Sequence, residues 1–362
     1  MSERDDLYRA ILEAPDDDAP RLVYADWLDE HGEPARAEFI RAQVAAAAVP
    51  EETARWREPT DRADRLLRDH RVSWLGPVLE RCQKAEYRRG FVDGVRVTVE
   101  QFLSSADDLI RLEPVRMWEF ASTSFFLSGP GFERLAEAPA FAHVRGLSAG
   151  LNNPNELLMT LARSPYLGGL RRLEMRGQYP SRGPLDDLMD AARGLTELDA
   201  EHFSLSGIRH LWSKSAPARL TRLRLDSCRV SDGALGYMAK SPAASRLTSL
   251  ILDRNDISSH GAEALAQSDH LTNLRELCLA GCPIGDRGAV VLARSPALRT
   301  LEVLNLAGCH LDNGGAQALA DSPHLSHLHC LCLDENRVSV EVEAELEKRF
   351  GRGVCSFSWS GR

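Results

Sequence analysis

The sequence predicts an α/β fold: a curved solenoid with parallel strands on its concave face and helices on its convex face, preceded by a small all-α N-terminal domain. Two observations carry that expectation. A 27-residue pattern recurs five times, opening at Leu220, Leu247, Leu274, Leu301 and Leu328. Residues 1–48 show no trace of that pattern and read as three short helices. A strict period marks units that cannot bury their apolar faces alone and stack around one continuous core. Such an array offers a broad surface for binding in place of an enclosed catalytic pocket.

The five frames read LTRLRLDSCRV, LTSLILDRNDI, LRELCLAGCPI, LEVLNLAGCHL and LHCLCLDENRV. A short strand at offsets 2 to 6 places alternate residues on opposite faces. Offsets 3 and 5 (Leu277 and Leu279 in the third frame) then point into the core, and offsets 2, 4 and 6 point out. Offset 8 is Cys228, Asn255, Cys282, Cys309 and Asn336. An inward Asn or Cys there can bond the backbone of the neighbouring turn, whose polar groups would otherwise be buried unpaired.

The second half of each unit reads as a helix. Ser231, Ser258 and Asp312 suit N-caps. The pairs Gly261-Ala262, Gly288-Ala289 and Gly315-Ala316 precede Leu265-Ala266, Leu292-Ala293 and Leu319-Ala320, small residues that let the helix lie close to the strand layer. Ser-Pro or Ser-Asp then ends it, at Ser241, Ser268, Ser295 and Ser322. A helix is wider than a strand spacing of roughly 4.8 Å, so stacked units curve with their strands inside.

This frame resembles a leucine-rich repeat of the ribonuclease-inhibitor-like class. The regular copies span 220–354, and degraded copies extend upstream at Leu195/Leu198, Leu170/Leu173, Val144/Leu147, Val115/Trp118 and Val92/Val95/Val97. The array is expected to cover 91–362, starting near Phe91. A C-terminal cap falls near 339–362, where CSFSW from Cys355 reads as a last strand.

In the N-terminal third, helix one runs from about Arg4 to Glu13, with a cap from Asp16, Asp17 and Asp18 and Pro20 in the first turn of helix two. Helix two carries RLVYADWLDEH and stops at Gly32; helix three starts near Pro34. Leu7, Ile11, Leu22, Val23, Trp27, Leu28, Phe39, Ile40 and Val44 make one apolar cluster. The run DDDAPRLVYADWLDEHGEPARAEFIRAQ resembles a bacterial repeat-companion domain, a short module that precedes repeat arrays, although Gly32–Phe39 carries one residue more than that family's usual G-[DE]-P-R-[AG]-E-F. The resemblance implies architecture and no biochemical activity. Residues 49–90 are charged and Arg-rich, with Trp56, Trp74, Leu66, Leu67 and Leu79 at loose helical spacing. They are expected to form a helical connector that caps the array, since a solenoid needs covering at both ends. Interleaved acids (Glu51, Glu52, Glu58, Asp61, Asp64) argue against a basic RNA-binding patch there.

Composition narrows the function classes. The net charge of −9 with dispersed basic residues argues against nucleic acid. No apolar run reaches about 18 residues, so no membrane span is expected, and MSERDDLYRA lacks the apolar core of a signal peptide. A cytoplasmic protein with its eight cysteines reduced is the simplest reading.

Motifs for chemistry are sparse. His324, His327 and His329 with Cys330 and Cys332, and Cys278 two strands away, are the best metal candidates, zinc by ligand type. Cysteine is also simply tolerated at outward strand positions, and the thiols form no knuckle, so no metal or cofactor is expected. No G-x-S-x-G, H-E-x-x-H or P-loop is present; Gly129-Pro130-Gly131 and Gly168-Gly169 read as turns. Asp26 and Glu30, four apart on helix two, read as solvent-facing acids.

The concave face is the candidate site. Consecutive strands present Arg172/Glu174/Arg176, Glu197/Asp199/Glu201 and Arg222/Arg224/Asp226, then Ser249/Ile251/Asp253, Glu276/Cys278/Ala280, Val303/Asn305/Ala307 and Cys330/Cys332/Asp334. Opposite charges face one another across the first three strands, and the later strands are smaller and more apolar. A charged half beside a small apolar half suits a protein ligand. The expected function is a non-enzymatic scaffold that binds a protein partner there; regulation of an enzyme, as a GTPase activator or nuclease inhibitor, follows from fold analogy alone.

Overall fold

A computed structural model describes residues 2–48, 54–121, 130–150, 154–176, 187–188, 191–202, 212 and 219–357. Two compact units, Met1–Ser148 and Ala149–Arg362, divide the chain. Gly129, Glu51, Glu52 and the end of the CSFSW run lie outside the described residues, as does the side chain of Trp56.

The first unit opens with α1 (Glu3–Glu13), α2 (Ala19–Glu30), α3 (Pro34–Ala47) and α4 (Ala54–Leu79). A capping box starts α1: Ser2 Oγ accepts the Asp5 N–H, and the Asp5 carboxylate accepts the Ser2 N–H. At α2 the aspartate run caps through Asp17, whose Oδ1 accepts the Ala19 N–H at 2.9 Å, while the Asp18 side chain makes no capping bond. Gly32 has φ +83°, and the Glu33 N–H reaches back to the Leu28 carbonyl at 2.8 Å. This Schellman closure explains why glycine ends α2.

Ile11, Tyr24, Ala25, Leu28, Ala37 and Ile40 form the first core with Phe91, and Leu7, Trp27 and Val44 pack against it. Leu22 and Val23, expected in this cluster, are 38% and 52% exposed. The inward face of α2 runs Arg21, Tyr24, Ala25, Leu28 at helical spacing, which turns 22 and 23 outward. Arg21 is buried because its guanidinium donates to the carbonyls of Asp17 and Pro15 at 2.6 and 2.7 Å. Phe39 lies in a separate cluster with Ala42 and Ala63, flanked by Leu66, Leu67, Trp74 and Tyr87.

Where the connector was expected to stay helical to residue 90, Lys84–Arg88 is a strand, β1, antiparallel to β2 (Phe91–Val97). Arg89 and Gly90 both have positive φ, 53° and 87°, the signature of a two-residue hairpin turn matched to strand twist. Glycine is required at 90 for a second reason: a Cβ there would sit 2.7 Å from the Ile40 Cα. α5 (Val99–Leu112), capped by Thr98, precedes β3 (Met117–Phe120), which pairs parallel with β2. The division between units falls inside β4 (Gly146–Gly150). The three weakest copies of the frame therefore are strands, with Val92, Val95, Val97, Val115, Trp118, Val144 and Leu147 buried.

Glu113 follows α5 and is buried, accepting the Val92 N–H at 3.0 Å. Burial pushes its pKa up to about 7, although Arg36 and the Val92 bond act in the opposite direction.

In the second unit, β5 (Arg172–Arg176), β6 (Glu197–Glu201), β7 (Arg222–Asp226), β8 (Ser249–Ile251), β9 (Glu276–Cys278), β10 (Val303–Asn305), β11 (Cys330–Cys332) and β12 (Cys355–Ser356) pair in parallel, each with the next. Offsets 3 and 5 are buried throughout, from Leu173 and Met175 to Leu331 and Leu333. Helices Asp232–Ala239, Ser259–Ala266, Gly285–Ala293, Asn313–Ala320 and Val340–Phe350 follow the strands. Their glycines allow close approach to the preceding helix more than to the strand layer: a Cβ on Gly315 would fall 2.5 Å from Asp286 Oδ1 and 3.0 Å from its Cα. Of the expected N-caps, only the Ser258 side chain makes a capping bond, to the His260 N–H.

Buried side chains tie repeat to repeat. Asn255 Oδ1 accepts the Cys228 and Val230 N–H groups at 3.0 and 2.9 Å, and its Nδ2 donates to Leu225 and Leu252 carbonyls at 2.7 Å each. Asn336 repeats the arrangement. Cys228, Cys282 and Cys309 donate their thiols to Ala200, Leu252 and Leu279 carbonyls. The serines that end the helices do more than stop them: Ser268, Ser295 and Ser322 donate to the carbonyls of Ala239, Ala266 and Ala293 in the preceding repeat. Offset 7 is left-handed in every regular frame, with φ between 54° and 70° at Ser227, Arg254, Gly281, Gly308 and Glu335.

Two outcomes follow. Asn255→Ala leaves two buried N–H groups and two carbonyls short of partners at about 1–3 kcal/mol each before relaxation. We expect an equilibrium loss of about 3–5 kcal/mol, with hydrogen exchange rising in the frames at 220 and 247; a loss below about 1 kcal/mol would show that the ladder does not hold the stack. Because Glu113 is raised from 4.5 to about 7 in the folded state, its contribution to stability is complete below pH 4.5 and is lost as pH rises through 7, on the order of 3 kcal/mol. Urea unfolding at pH 5 and pH 8 is expected to show that loss in the wild type and its absence in Glu113→Gln.

Candidate interaction surface

The outward residues of β5–β7 come together as expected. The register sets three rows across β5, β6 and β7: Arg172–Glu197–Arg222, Glu174–Asp199–Arg224 and Arg176–Glu201–Asp226. Arg172 lies 3.5 Å from Glu197 and also meets Glu174 on its own strand; Arg176 lies 3.8 Å from Glu201, and Arg224 3.9 Å from Asp199. Arg172, Arg176 and Arg222 are exposed, while Glu174, Glu197, Asp199, Glu201 and Arg224 are half-buried. Exposed pairs of this kind contribute little to stability, which leaves them free to re-pair with a ligand. Asp199 is held above the usual carboxylate range by burial, with Glu174 and Asp226 adding to the rise and Arg224 opposing it.

Four expected surface residues are not on the surface. Asp226 is 1% exposed: Arg224 donates to its Oδ2 at 2.7 and 2.9 Å, and Arg254 approaches to 3.9 Å. Ile251 is 5% exposed, set by register between Arg224 and Cys278, and Ser249 and Cys278 are buried as well. Alternation puts a side chain on the outer face; neighbours at the close spacing of parallel strands then cover it.

From β8 to β11 the strands are three residues long, not the expected five, and the remaining polar side chains explain why. Asp253 Oδ1 accepts the Ala280 N–H at 2.8 Å and Asn305 Oδ1 accepts the Ala307 N–H at 3.0 Å, closing the ladder from the side. Glu276 accepts the Ser249 hydroxyl, and Asp334 accepts the Cys332 thiol and the Ser356 hydroxyl. Burial and Asp226 push the Asp253 carboxyl up. Glu276, Asp253, Asn305 and Asp334 thus serve the fold, and β5–β7 keep the freest polar surface.

Among the described residues no group of three or more His, Cys, Asp or Glu converges to hold a metal ion. All eight cysteines are free thiols, and burial pushes Cys282 and Cys309 up to about 11 and 12. Asp26 is bridged through Arg41 to Asp29, at 2.6 Å on each side. Among the described residues no helix is long and apolar enough to cross a membrane.

A leucine-rich-repeat family model matches residues 245–266, 270–293 and 297–320, on the strand-and-helix units described above. These matched units are leucine-rich repeats. Solved structures similar to the chain include an internalin F of Listeria monocytogenes (15% identity, 73% of this chain and 71% of that one, TM-score 0.43) and an internalin C2 of the same organism (21%, 60% and 83%, 0.40). A Bacteroides fragilis protein is 13% identical over 85% of this chain and 84% of its own, with a TM-score of 0.46. No curated protein matches the sequence. Leucine-rich-repeat proteins generally act in protein–protein interaction and are typically non-enzymatic.

The Arg224–Asp226 pair yields a direct test. Arg224→Ala is expected to destabilise by about 2–3 kcal/mol, less than a fully enclosed pair because Arg224 is half-solvated. Adding Asp226→Ala should recover part of that loss in a double-mutant cycle; strict additivity would show that the two side chains are uncoupled.

Proposed function

We propose that this leucine-rich-repeat protein is a non-enzymatic scaffold that holds a protein partner on the outer face of β5–β7. The observation that supports it is the set of charged columns whose members meet from strand to strand at only 3.5–3.9 Å. Arg172, Arg176 and Arg222 stand exposed beside Glu197, Asp199 and Glu201. Complementary charges of that kind steer and orient a partner. We infer a cytoplasmic setting, which the free thiols support, and propose the repeat-companion reading for residues 1–48, with 49–90 as connector and cap and 91–362 as the repeat array. The shared core of α1–α3 with Phe91 supports a capping role for the N-terminal helices.

Affinity capture from native lysate tests the surface. The intact chain is compared with a variant carrying Arg172→Glu, Glu197→Lys, Asp199→Lys and Arg222→Glu. A partner retained by the intact chain is expected to be lost by the folded variant, with a dissociation constant at least tenfold weaker and steeply salt-dependent. A partner indifferent to the four reversals would move the site off β5–β7.

A further inference from the structure

Among the described residues, Arg222 is the outward arginine of β5–β7 that no protein group engages. Its row runs Arg172–Glu197–Arg222–Ser249–Glu276 across five strands. Either neighbour in the row is placed to meet it, and both are committed elsewhere. Glu197 lies 3.5 Å from Arg172, on the β5 side. The Ser249 hydroxyl donates to Glu276 at 2.5 Å, on the β9 side. Arg222 itself is exposed, and its side chain enters no hydrogen bond or ion pair with the described residues. A fork of N–H donors therefore stands in the middle of the candidate surface with only water to satisfy it.

The sign of the partner's charge follows from what each kind of ligand gains. The acids of this surface already have cations: Arg172 meets Glu174 and Glu197, Arg176 reaches Glu201, and Arg224 approaches Asp199. The arginines also stand higher. The Arg172 and Arg176 side chains are 45% and 70% exposed, against 17% and 31% for their partners Glu174 and Glu201. A long arginine arm keeps its head in water while a shorter carboxylate stays near the sheet. A cationic ligand must displace an arginine to reach an acid, so it exchanges one ion pair for another. A carboxylate on Arg222 adds a pair where there was none.

Building on the scaffold reading above, we propose that the protein partner docks through an acidic segment, with one carboxylate held by the Arg222 guanidinium. Arg172, two strand spacings or about 10 Å along the same row, draws a second. Planar two-point bonding between guanidinium and carboxylate fixes the segment's orientation as well as holding it. The whole chain carries a net charge of −9. Long-range steering therefore does not favour an acid, and the attraction is confined to contact with this row.

The full chain is titrated with fluorescein-labelled decapeptides of alternating Gly-Glu, Gly-Gln and Gly-Lys, read by fluorescence anisotropy. We expect the Gly-Glu peptide to bind at least tenfold tighter than Gly-Gln. That binding is expected to weaken fivefold or more in Arg222→Ala, to be abolished in Arg222→Glu and to be partly kept in Arg222→Lys. Thermal unfolding of the three variants should match the wild type, because Arg222 is exposed and holds nothing. Arg287→Ala, at an exposed arginine on a convex helix, is expected to leave binding unchanged. No binding of Gly-Glu at 1 mM, equal binding of Gly-Gln, indifference to Arg222→Ala, or Gly-Lys bound more tightly once Arg222 is removed would each overturn the acidic segment. The lysate capture separates this inference from the reading beneath it. A partner lost by the four-reversal variant, yet kept by Arg222→Ala and not displaced by the Gly-Glu peptide, would sink the acidic segment and leave the scaffold standing. A partner indifferent to all four reversals would remove both.

Discussion

The second unit depends on one constraint: every turn between a strand and its helix buries backbone groups that a parallel ladder cannot reach. The chain meets it with side chains that point across to the adjoining repeat. Asn255 and Asn336 both accept and donate there, the cysteines at 228, 282 and 309 donate one thiol each, and the helix-ending serines bond the last carbonyls of the helix before. Threonines extend the same device along the strand entry, with Thr196, Thr221, Thr248 and Thr300 each donating to a carbonyl of the previous repeat. Period, polarity and stacking are thus one requirement, since a repeat of another length would carry these groups past their partners.

That requirement is why so much of the fold was legible in the sequence. Leucines at offsets 3 and 5 and Asn or Cys at offset 8 have only one sensible placement, and even the worn copies at Val92, Val115 and Val144 kept enough of it to mark strands. The hairpin at Arg89-Gly90 was harder to see: KAEYR alternates, but only through Ala85 and Tyr87 at the end of a charged, helix-like stretch, and its turn announces itself by backbone angles more than by composition. Glycine at 281 and 308 was a usable sign that offset 7 is left-handed; Ser227, Arg254 and Glu335 in the same place concealed it.

The candidate surface was legible in its pairing but not in its exposure. Alternation predicts which way a residue faces, and the register of β5–β7 follows from it. Whether water reaches that residue depends on what its neighbours do. Asp226 disappears under Arg224 and Arg254, and Asp253 and Asn305 turn back onto the backbone, because a short carboxylate or amide beside an unpaired N–H has a nearer partner than solvent. Nothing in the spacing of the frame distinguishes those residues from Asp199 or Glu201.

The ladder closed from the side by Asp253 and Asn305 divides the outer face into two regimes of sequence change. On β5 and β6, and at Arg222 on β7, the outward residues pair from strand to strand near the surface, so under the proposed role substitution there would alter recognition while the strands keep their register; Arg224 and Asp226 belong with the residues that secure the fold. From β8 onward the outward polar residues secure the ends of the strands, and a substitution there is felt first as folding. A family of such chains diversifying under selection for new partners would accumulate its variation at the first three of these strands and keep the later ones nearly constant.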